Sequence, residues 1–212
     1  TASTIQSRGT YHFPASKMTS THDDHQCSAL CNCATGWGAI DCEYNITMDR
    51  NRPYSAGQYI WTGWDYIGEP TPYWTKNSYF GHSDTAGFPK DSYYAYRAEW
   101  AGKTVAPFVH LFPYWYFNEG QLVDIMTFSN CHETELIVNG ESLRRYTHNH
   151  VDGDRFAARW QTVYHKGYIK AIGYDEEGNK VCEMTRVTPE DAAKIILKPN
   201  KTELSANGED MI

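Results

Sequence analysis

Short apolar segments at regular spacing in the second half of the chain constrain the fold more than any other feature. Asn139-Gly140 between two of them is the strongest hairpin signal, because both residues tolerate the positive φ of a type I′ turn. Asp175–Asn179 has similar turn chemistry. Short strands with such turns predict a β-sandwich. The candidate strands are Val109–Phe112, Val123–Phe128, Glu135–Val138, Phe156–Val163, Tyr168–Tyr174 and Val181–Val187.

Two helices are predicted in the first hundred residues. The first runs from about His22 to Arg50, with acidic residues in its first turn, where the helix dipole favours negative charge. Pro53 lies just beyond its end and cannot continue it. The second runs from Ser92 to Trp100, and the Ser92 hydroxyl is predicted to cap its amino terminus.

A short apolar segment and a long loop lie between these helices. Tyr59–Trp61 is bulky and apolar, which predicts a buried strand. Residues 62–91 contain four glycines and three prolines, a density typical of loops. Loops of this length are usually functional or disordered, and the aromatic and charged residues of this one favour a function.

Composition limits the classes of partner. The formal net charge of −7 weighs against nucleic-acid binding, which needs a basic surface. No apolar run approaches the length of about 18 residues that a membrane-spanning helix needs. Aromatic residues make up 15% of the chain, which suits either a sugar ligand or the core of a β-rich fold.

Four of the six cysteines lie within sixteen residues, at Cys27, Cys31, Cys33 and Cys42. Structural zinc sites use paired knuckles with a second, distant pair, and this spacing does not match them. The cluster is therefore predicted to be structural, with a metal-binding element as the alternative. Free thiols at this density favour a reducing compartment such as the cytoplasm, although a periplasmic or secreted location stays open.

The segment Ile60–Trp74, IWTGWDYIGEPTPYW, resembles the last barrel strand and following loop of family-2 glycoside hydrolases of the β-galactosidase type. Further motifs follow in the family's order: TAS at the start, then HDDHQCS, AGFPKD, VHLFPYW and VNG. They cover nearly the whole chain, so the sequence is identified as a member of that family.

The resemblance implies a multidomain fold. Residues 1–104 would be the last part of a TIM (β/α)8 barrel, with helix 7, strand 8 at Tyr59–Trp61 and helix 8 at Ser92–Trp100. Residues 105–189 would form an immunoglobulin-like β-sandwich. Residues 190–212 would begin a further, truncated β-domain, with its first strand at Lys194–Leu197.

Catalysis in this family uses two glutamates, one as acid and one as nucleophile, with net retention through a covalent intermediate. The resemblance places the acid far upstream and the nucleophile immediately before Thr1. No residue of this chain therefore receives a catalytic role, and none implies a cofactor or a metal ion.

Substrate binding is the role that the resemblance leaves to this chain. Trp61 at the end of the eighth strand would support the sugar with its face. Asp65 and Glu69 could accept hydrogen bonds from sugar hydroxyls, or could brace the loop as ion pairs. Tyr11 and His12 are weaker candidates.

The function implied is hydrolysis of terminal β-galactosides by a retaining exo-glycosidase, with β-glucuronidase and β-mannosidase activities as rivals. A non-catalytic carbohydrate-binding or interaction module is the alternative from another class. One strand and two helices cannot close a barrel, and an open sheet leaves unpaired edges. The sheet is therefore expected to pair with the missing N-terminal part of the enzyme, or with a second copy of the chain in an oligomer. The other expected partner is the sugar substrate.

Overall fold

The computed structural model describes residues 42–69, 77–78, 81–150, 156–191, 193–199 and 201–210. Two α-helices precede the strands: α1, Cys42–Arg50, and α2, Asp91–Tyr96, which continues as a π-helical turn, Arg97–Ala101, and a 3₁₀ turn, Gly102–Thr104. No helix in these ranges is long and apolar enough to cross a membrane. The strands are β1 Val109–Phe112, β2 Leu122–Ser129, β3 Glu133–Val138, β4 Glu141–Thr147, β5 Ala158–Val163, β6 Tyr168–Tyr174 and β7 Lys180–Val187.

The seven strands form two sheets in which neighbouring strands are antiparallel. One sheet has three strands in the order β1-β2-β5, and the other has four in the order β4-β3-β6-β7. Inward and outward side chains alternate along β3 and β6, as expected where one face of a sheet meets the core.

The core lies between the two sheets. Fully buried side chains come from the first sheet, such as Ile125 and Phe128, and from the second, such as Leu136 and Ile169. Trp115 is 1% exposed and Trp160 6% exposed, so both are packed in the sandwich. Each buried aliphatic or aromatic side chain contributes about 1.5–3 kcal/mol relative to full exposure.

The predicted β-sandwich is confirmed, with two strands, β1 and β6, at their predicted bounds. The Asn139-Gly140 turn is confirmed as well, since φ is 49° at Asn139 and 93° at Gly140. Strand β4 was not among the predicted strands. Its residues are almost all exposed, so it carries none of the apolar alternation from which a strand is predicted.

Two predicted strands are absent from the described residues 59–61 and 193–199. Tyr59 and Trp61 are largely exposed, as are Ile195 and Leu197, which corrects both predictions. A strand is held by backbone hydrogen bonds to a neighbour, and these residues pair with no strand of the described chain. The barrel expected over residues 1–104 and the division into three domains stay predictions.

The helix predictions hold in part. α1 ends at Arg50 as predicted, and residues 22–41 lie outside the described part of the chain. α2 begins at Asp91, and its cap position is Lys90, without a side-chain hydrogen bond to the helix. Ser92 is therefore not the cap; it is buried in the first turn, where its hydroxyl bonds to His82.

Ion pairs and polar contacts dock the helices on the sandwich. Glu43 of α1, 3% exposed in its side chain, binds the guanidinium of Arg159 on β5 and accepts a 2.8 Å bond from the Ala157 amide. Arg50 and His150 both bind Glu99, at 2.7 and 2.6 Å. These contacts orient α1 and α2 against β5 and the segment after β4.

Candidate functional site

The candidate site is the irregular segment between α1 and α2. Its two arms, residues 62–67 and the described residues 77–78 and 81–89, lie side by side through single bridges that pair Trp64 with Ser83 and Ile67 with Asn77, and a further bridge within the second arm pairs Ser83 with Pro89. The amide of Asp65 donates to the Ser83 carbonyl at 2.9 Å. The loop is thus a folded unit, although it contains no regular strand among its described residues.

Trp61 stands at the start of this loop with 73% of its surface exposed. Its indole N–H lies 3.2 Å from the Tyr66 hydroxyl, and the two rings meet edge to face at 6.4 Å. Tyr66 in turn donates to the Glu69 carboxylate. The hydrogen bond to Glu69, followed by burial, raises the pKa of the Tyr66 hydroxyl.

The geometry leaves the face of Trp61 open beside a row of polar groups. A pyranose packs its C–H bonds on an aromatic face while its hydroxyls meet donors and acceptors at the edge. Tyr66 and Glu69 offer a hydroxyl and a carboxylate at that edge. This arrangement fits a sugar better than an apolar ligand.

Asp65 braces the loop from inside. It is 8% exposed, and one carboxylate oxygen accepts from Lys90 Nζ at 2.7 Å and from the Gly81 amide at 2.8 Å. Burial raises the pKa of Asp65, against the lowering effect of Lys90. A Cβ at Gly81 would lie 2.2 Å from the Asp65 amide nitrogen, so the two arms approach this closely only with glycine there.

Buried histidines join the loop to the elements behind it. His82 Nδ1 lies 2.9 Å from the Ser92 hydroxyl, and burial together with Lys90 lowers the pKa of His82 to about 4. Asp91 binds His110 Nε2 of β1 at 2.7 Å. These contacts connect the loop to α2 and connect α2 to β1.

Sequence reasoning located this loop, but it missed two of its residues. Tyr66 links Trp61 to Glu69, and Lys90 neutralises Asp65. Lys90 follows Asp65 by 25 positions, and no periodicity relates the two. Tyr66 contacts both Trp61 and Glu69, whereas Asp65 is buried within the loop. Contacts of Glu69 and Asp65 with a substrate stay predictions.

Other candidates fall elsewhere. Tyr11, His12 and the cysteines at positions 27, 31 and 33 lie outside the described residues. Across the described ranges, no group of three or more metal-ligating side chains comes together.

A cavity lies on the sandwich, with a volume of about 1280 Å³. Tyr116, Lys166, Tyr168 and Glu190 line it among others. It combines aromatic rings with charged groups, and it lies where the chain leaves β7.

Comparison with known proteins gives matches along the whole chain. Residues 120–182 match a family described as a domain of unknown function (DUF4982). β-Galactosidase BoGH2A of Bacteroides ovatus is 38% identical over 99% of this chain and 25% of its own length. A β-glucuronidase of Formosa agariphila is 29% identical over 53% of this chain and 11% of its own length.

Solved structures give the same answer. A β-glycosidase from Bacteroides vulgatus superposes with a TM-score of 0.61 and 30% identity over 73% of this chain and 19% of its own. A glycosyl hydrolase family 2 member from Bacteroides cellulosilyticus gives 0.61 and 26% over 73% and 24%. The chain thus spans a quarter or less of the relatives and structures that it matches. Its motifs and these matches together place it in glycoside hydrolase family 2.

Proposed function

We propose that this chain is the carboxyl-terminal part of a retaining exo-glycosidase that removes terminal β-galactosides. The observation that carries the proposal is the open indole face of Trp61 with the Tyr66 hydroxyl at its edge. The galactoside is suggested by the relative that aligns with nearly the whole chain, a β-galactosidase.

In this proposal the chain binds and orients the sugar, and two upstream glutamates perform the chemistry. Trp61 supports the C–H face of the galactosyl ring, and Glu69 accepts a hydrogen bond from one of its hydroxyls. The ion pair of Asp65 and Lys90 braces the loop that follows Trp61. Trp61 would contribute by positioning the substrate, because a small displacement of the sugar ring from the reactive geometry lowers the reaction rate.

The proposal includes the architecture implied by the family. Residues 1–104 would close a TIM barrel with the upstream polypeptide, and the sandwich would be immunoglobulin-like. The strand order β1-β2-β5 and β4-β3-β6-β7 supports the second part, because it divides seven antiparallel strands between two sheets as such domains do. Exposed aromatic side chains before the sandwich, such as Tyr59 and Trp64, support the first part.

Hydrolysis of a chromogenic β-galactoside, with and without the preceding polypeptide, tests the proposal. We expect no turnover by residues 1–212 alone and turnover once the upstream part is supplied. Activity of this chain alone would mean that Asp65, Glu69 or another carboxylate here performs chemistry, and the assignment of roles would be wrong.

Trp61→Ala in the complete enzyme tests the platform. We expect kcat/KM to fall at least about tenfold, equivalent to about 1.4 kcal/mol of transition-state stabilisation. Trp100→Ala is the matched control, since Trp100 is 57% exposed and lies outside the loop; it should keep kcat/KM within about twofold. Equal losses in both variants would contradict a platform at Trp61.

The rival sugar specificity is tested by comparing β-galactosides, β-glucuronides and β-mannosides under the same conditions. We expect the largest kcat/KM for the β-galactoside. A glucuronide preference would retain the family and the Trp61 platform while changing the sugar.

The cavity on the sandwich favours a second candidate, a carbohydrate-binding module. In that case Tyr116→Ala would abolish sugar binding by this chain, whereas Trp61→Ala would leave it intact. The glycosidase proposal predicts that Tyr116→Ala changes neither binding nor turnover.

A further inference from the structure

Two thiols that are far apart in the chain meet inside the sandwich. Cys131, in the connection between β2 and β3, and Cys182, on β7, place their sulfurs 3.5 Å apart across a separation of 51 residues. Neither forms a disulfide, and both are free.

The strand register creates the space that these sulfurs share. Cys182 pairs with Gly173 of β6 in the antiparallel ladder. A Cβ placed on Gly173 would lie 2.6 Å from both sulfur atoms, a distance that real contacts do not allow. The two thiols therefore lie over the one position of β6 that has no side chain to separate them.

The surroundings make one thiol the better nucleophile. The hydrogen bond with Cys182 is the main cause that lowers the pKa of Cys131, and the same contact raises the pKa of Cys182. The thiolate is the form that attacks an oxidant. Cys131 is 4% exposed, while Cys182 is half-buried on an edge strand, so a small oxidant reaches the pair from the β7 side.

We propose that Cys131 and Cys182 are a disulfide-forming pair that hydrogen peroxide oxidises. The Cys131 thiolate attacks one peroxide oxygen and breaks the O–O bond, which gives a sulfenic acid and releases water after protonation. The Cys182 thiol then attacks that sulfur, expels the second oxygen as water and closes the S–S bond. The two thiols lose two electrons, and the peroxide is reduced to two water molecules.

The bond would tie the edge strand β7 to the connection between the sheets. To form the bond, the sulfurs must approach from 3.5 Å to the disulfide length of about 2.05 Å. Closing a loop of this length restricts the unfolded chain and stabilises the fold. Oxidation is therefore expected to raise the thermal stability of the sandwich, and reduction is expected to reverse the change.

Peptide mapping of the whole chain tests this proposal directly. Tryptic cleavage puts Cys131 alone in the peptide 104–144 and Cys182 alone in the peptide 181–186, while the other four cysteines share the peptide 18–50. After treatment with hydrogen peroxide we expect the first two peptides to be joined, less two hydrogens, and to separate again with dithiothreitol. The midpoint of thermal unfolding should rise by several degrees and return after reduction.

Cys182→Ser is the matched control, because it keeps the Cys131 thiol and removes its partner. This variant should give neither the joined peptide nor the rise in midpoint. Gly173→Ala should lower the yield of the joined peptide, since its methyl group separates the sulfurs. Free or over-oxidised Cys131 beside free Cys182 in the unaltered chain would overturn the proposal, as would a joined peptide that leaves the midpoint unchanged.

Discussion

The sandwich and the helical segment packed on it are stabilised in different ways. Between the sheets, apolar side chains such as Phe128 and Leu136 are fully buried. Where α1 and α2 meet the sandwich, buried carboxylates take much of the contact: Glu43 binds Arg159, and Glu99 binds His150. The hydrophobic effect is non-directional, whereas an ion pair fixes the orientation of the two groups. Removing one partner of a buried pair leaves an uncompensated charge and destabilises the fold. The sandwich therefore supplies most of the stability, and the polar contacts set the position of the helices that flank the loop.

The largest effect is expected from the sandwich core. Phe128→Ala removes a ring that packs on Phe112 at 5.0 Å and on Phe156 at 6.0 Å. It should lower the free energy of unfolding by about 3–5 kcal/mol, measured by urea denaturation. Val187→Ala, at a side chain 63% exposed on β7, is the control and should change it by no more than about 0.5 kcal/mol. A loss below about 1 kcal/mol for Phe128→Ala would show that apolar burial between the sheets does not supply most of the stability.

The next effect comes from a buried histidine between the two regions. Thr134 and the Phe156 carbonyl hold His148 through its two ring nitrogens, both at 2.7 Å. Its Nδ1–H donates to the carbonyl, so Nε2 accepts from the Thr134 hydroxyl. Burial is the main cause that lowers the pKa of His148 to about 4.

Stability should therefore depend on pH through His148. The unfolded chain binds a proton near pH 6.5 and the folded chain only near pH 4, so stability falls as pH drops across that window. The expected loss from this residue is about 3 kcal/mol, and His82 acts in the same direction. Denaturation of the unaltered chain and of His148→Gln across this range checks it; an equal slope in both would contradict the assignment.

His150 affects a different range. Burial alone would lower its pKa, but the hydrogen bond and charge of Glu99 raise it. Its contribution is therefore complete below pH 6.5 and is lost as pH rises above that value. The two histidines can be distinguished in one pH series for that reason.

A smaller loss is expected where α1 docks. Glu43→Gln keeps the size of the side chain and removes its charge, which leaves Arg159 without its anion. Breaking a fully buried pair costs about 3–5 kcal/mol. Because Arg159 is one-third exposed, we expect about 2 kcal/mol. The double variant with Arg159→Met should recover part of the loss; a double variant that is worse than the sum would argue against docking by this pair.

The smallest effect on global stability is expected in the loop. Lys90→Met leaves the buried Asp65 carboxylate without its cation. The loop has few apolar contacts with the core, so the midpoint of thermal unfolding should barely change. Limited proteolysis between residues 62 and 90 should accelerate, because local opening costs less. Unchanged proteolysis would show that Asp65 does not brace the loop.

Much of the sandwich could be predicted because its strands carry their signal locally. The turn at Asn139-Gly140 and the apolar alternation of β6 depend only on neighbouring residues. Strand β4 has no such alternation, and only its hydrogen bonds to β3 define it. The strand predicted at Tyr59–Trp61 failed for the complementary reason, since an apolar segment forms a strand only beside a partner.

Some residues of the candidate site could be identified from sequence, whereas their contacts could not. Trp61, Asp65 and Glu69 could be found from sequence because the motif IWTGWDYIGEP is contiguous. What Asp65 does could not be found, because its partner Lys90 and its neighbour Gly81 arrive through the folding of the loop.

The sequence by itself determined the family, the sandwich and the aromatic loop, since each is encoded by residues close together in the chain. Only the tertiary structure decided which carboxylates are buried, which histidines are neutral and which cysteines meet. Those properties depend on desolvation and on distances between residues such as Cys131 and Cys182 that lie far apart in sequence. No local pattern records such distances, because the register of the sheets and the docking of the helices produce them.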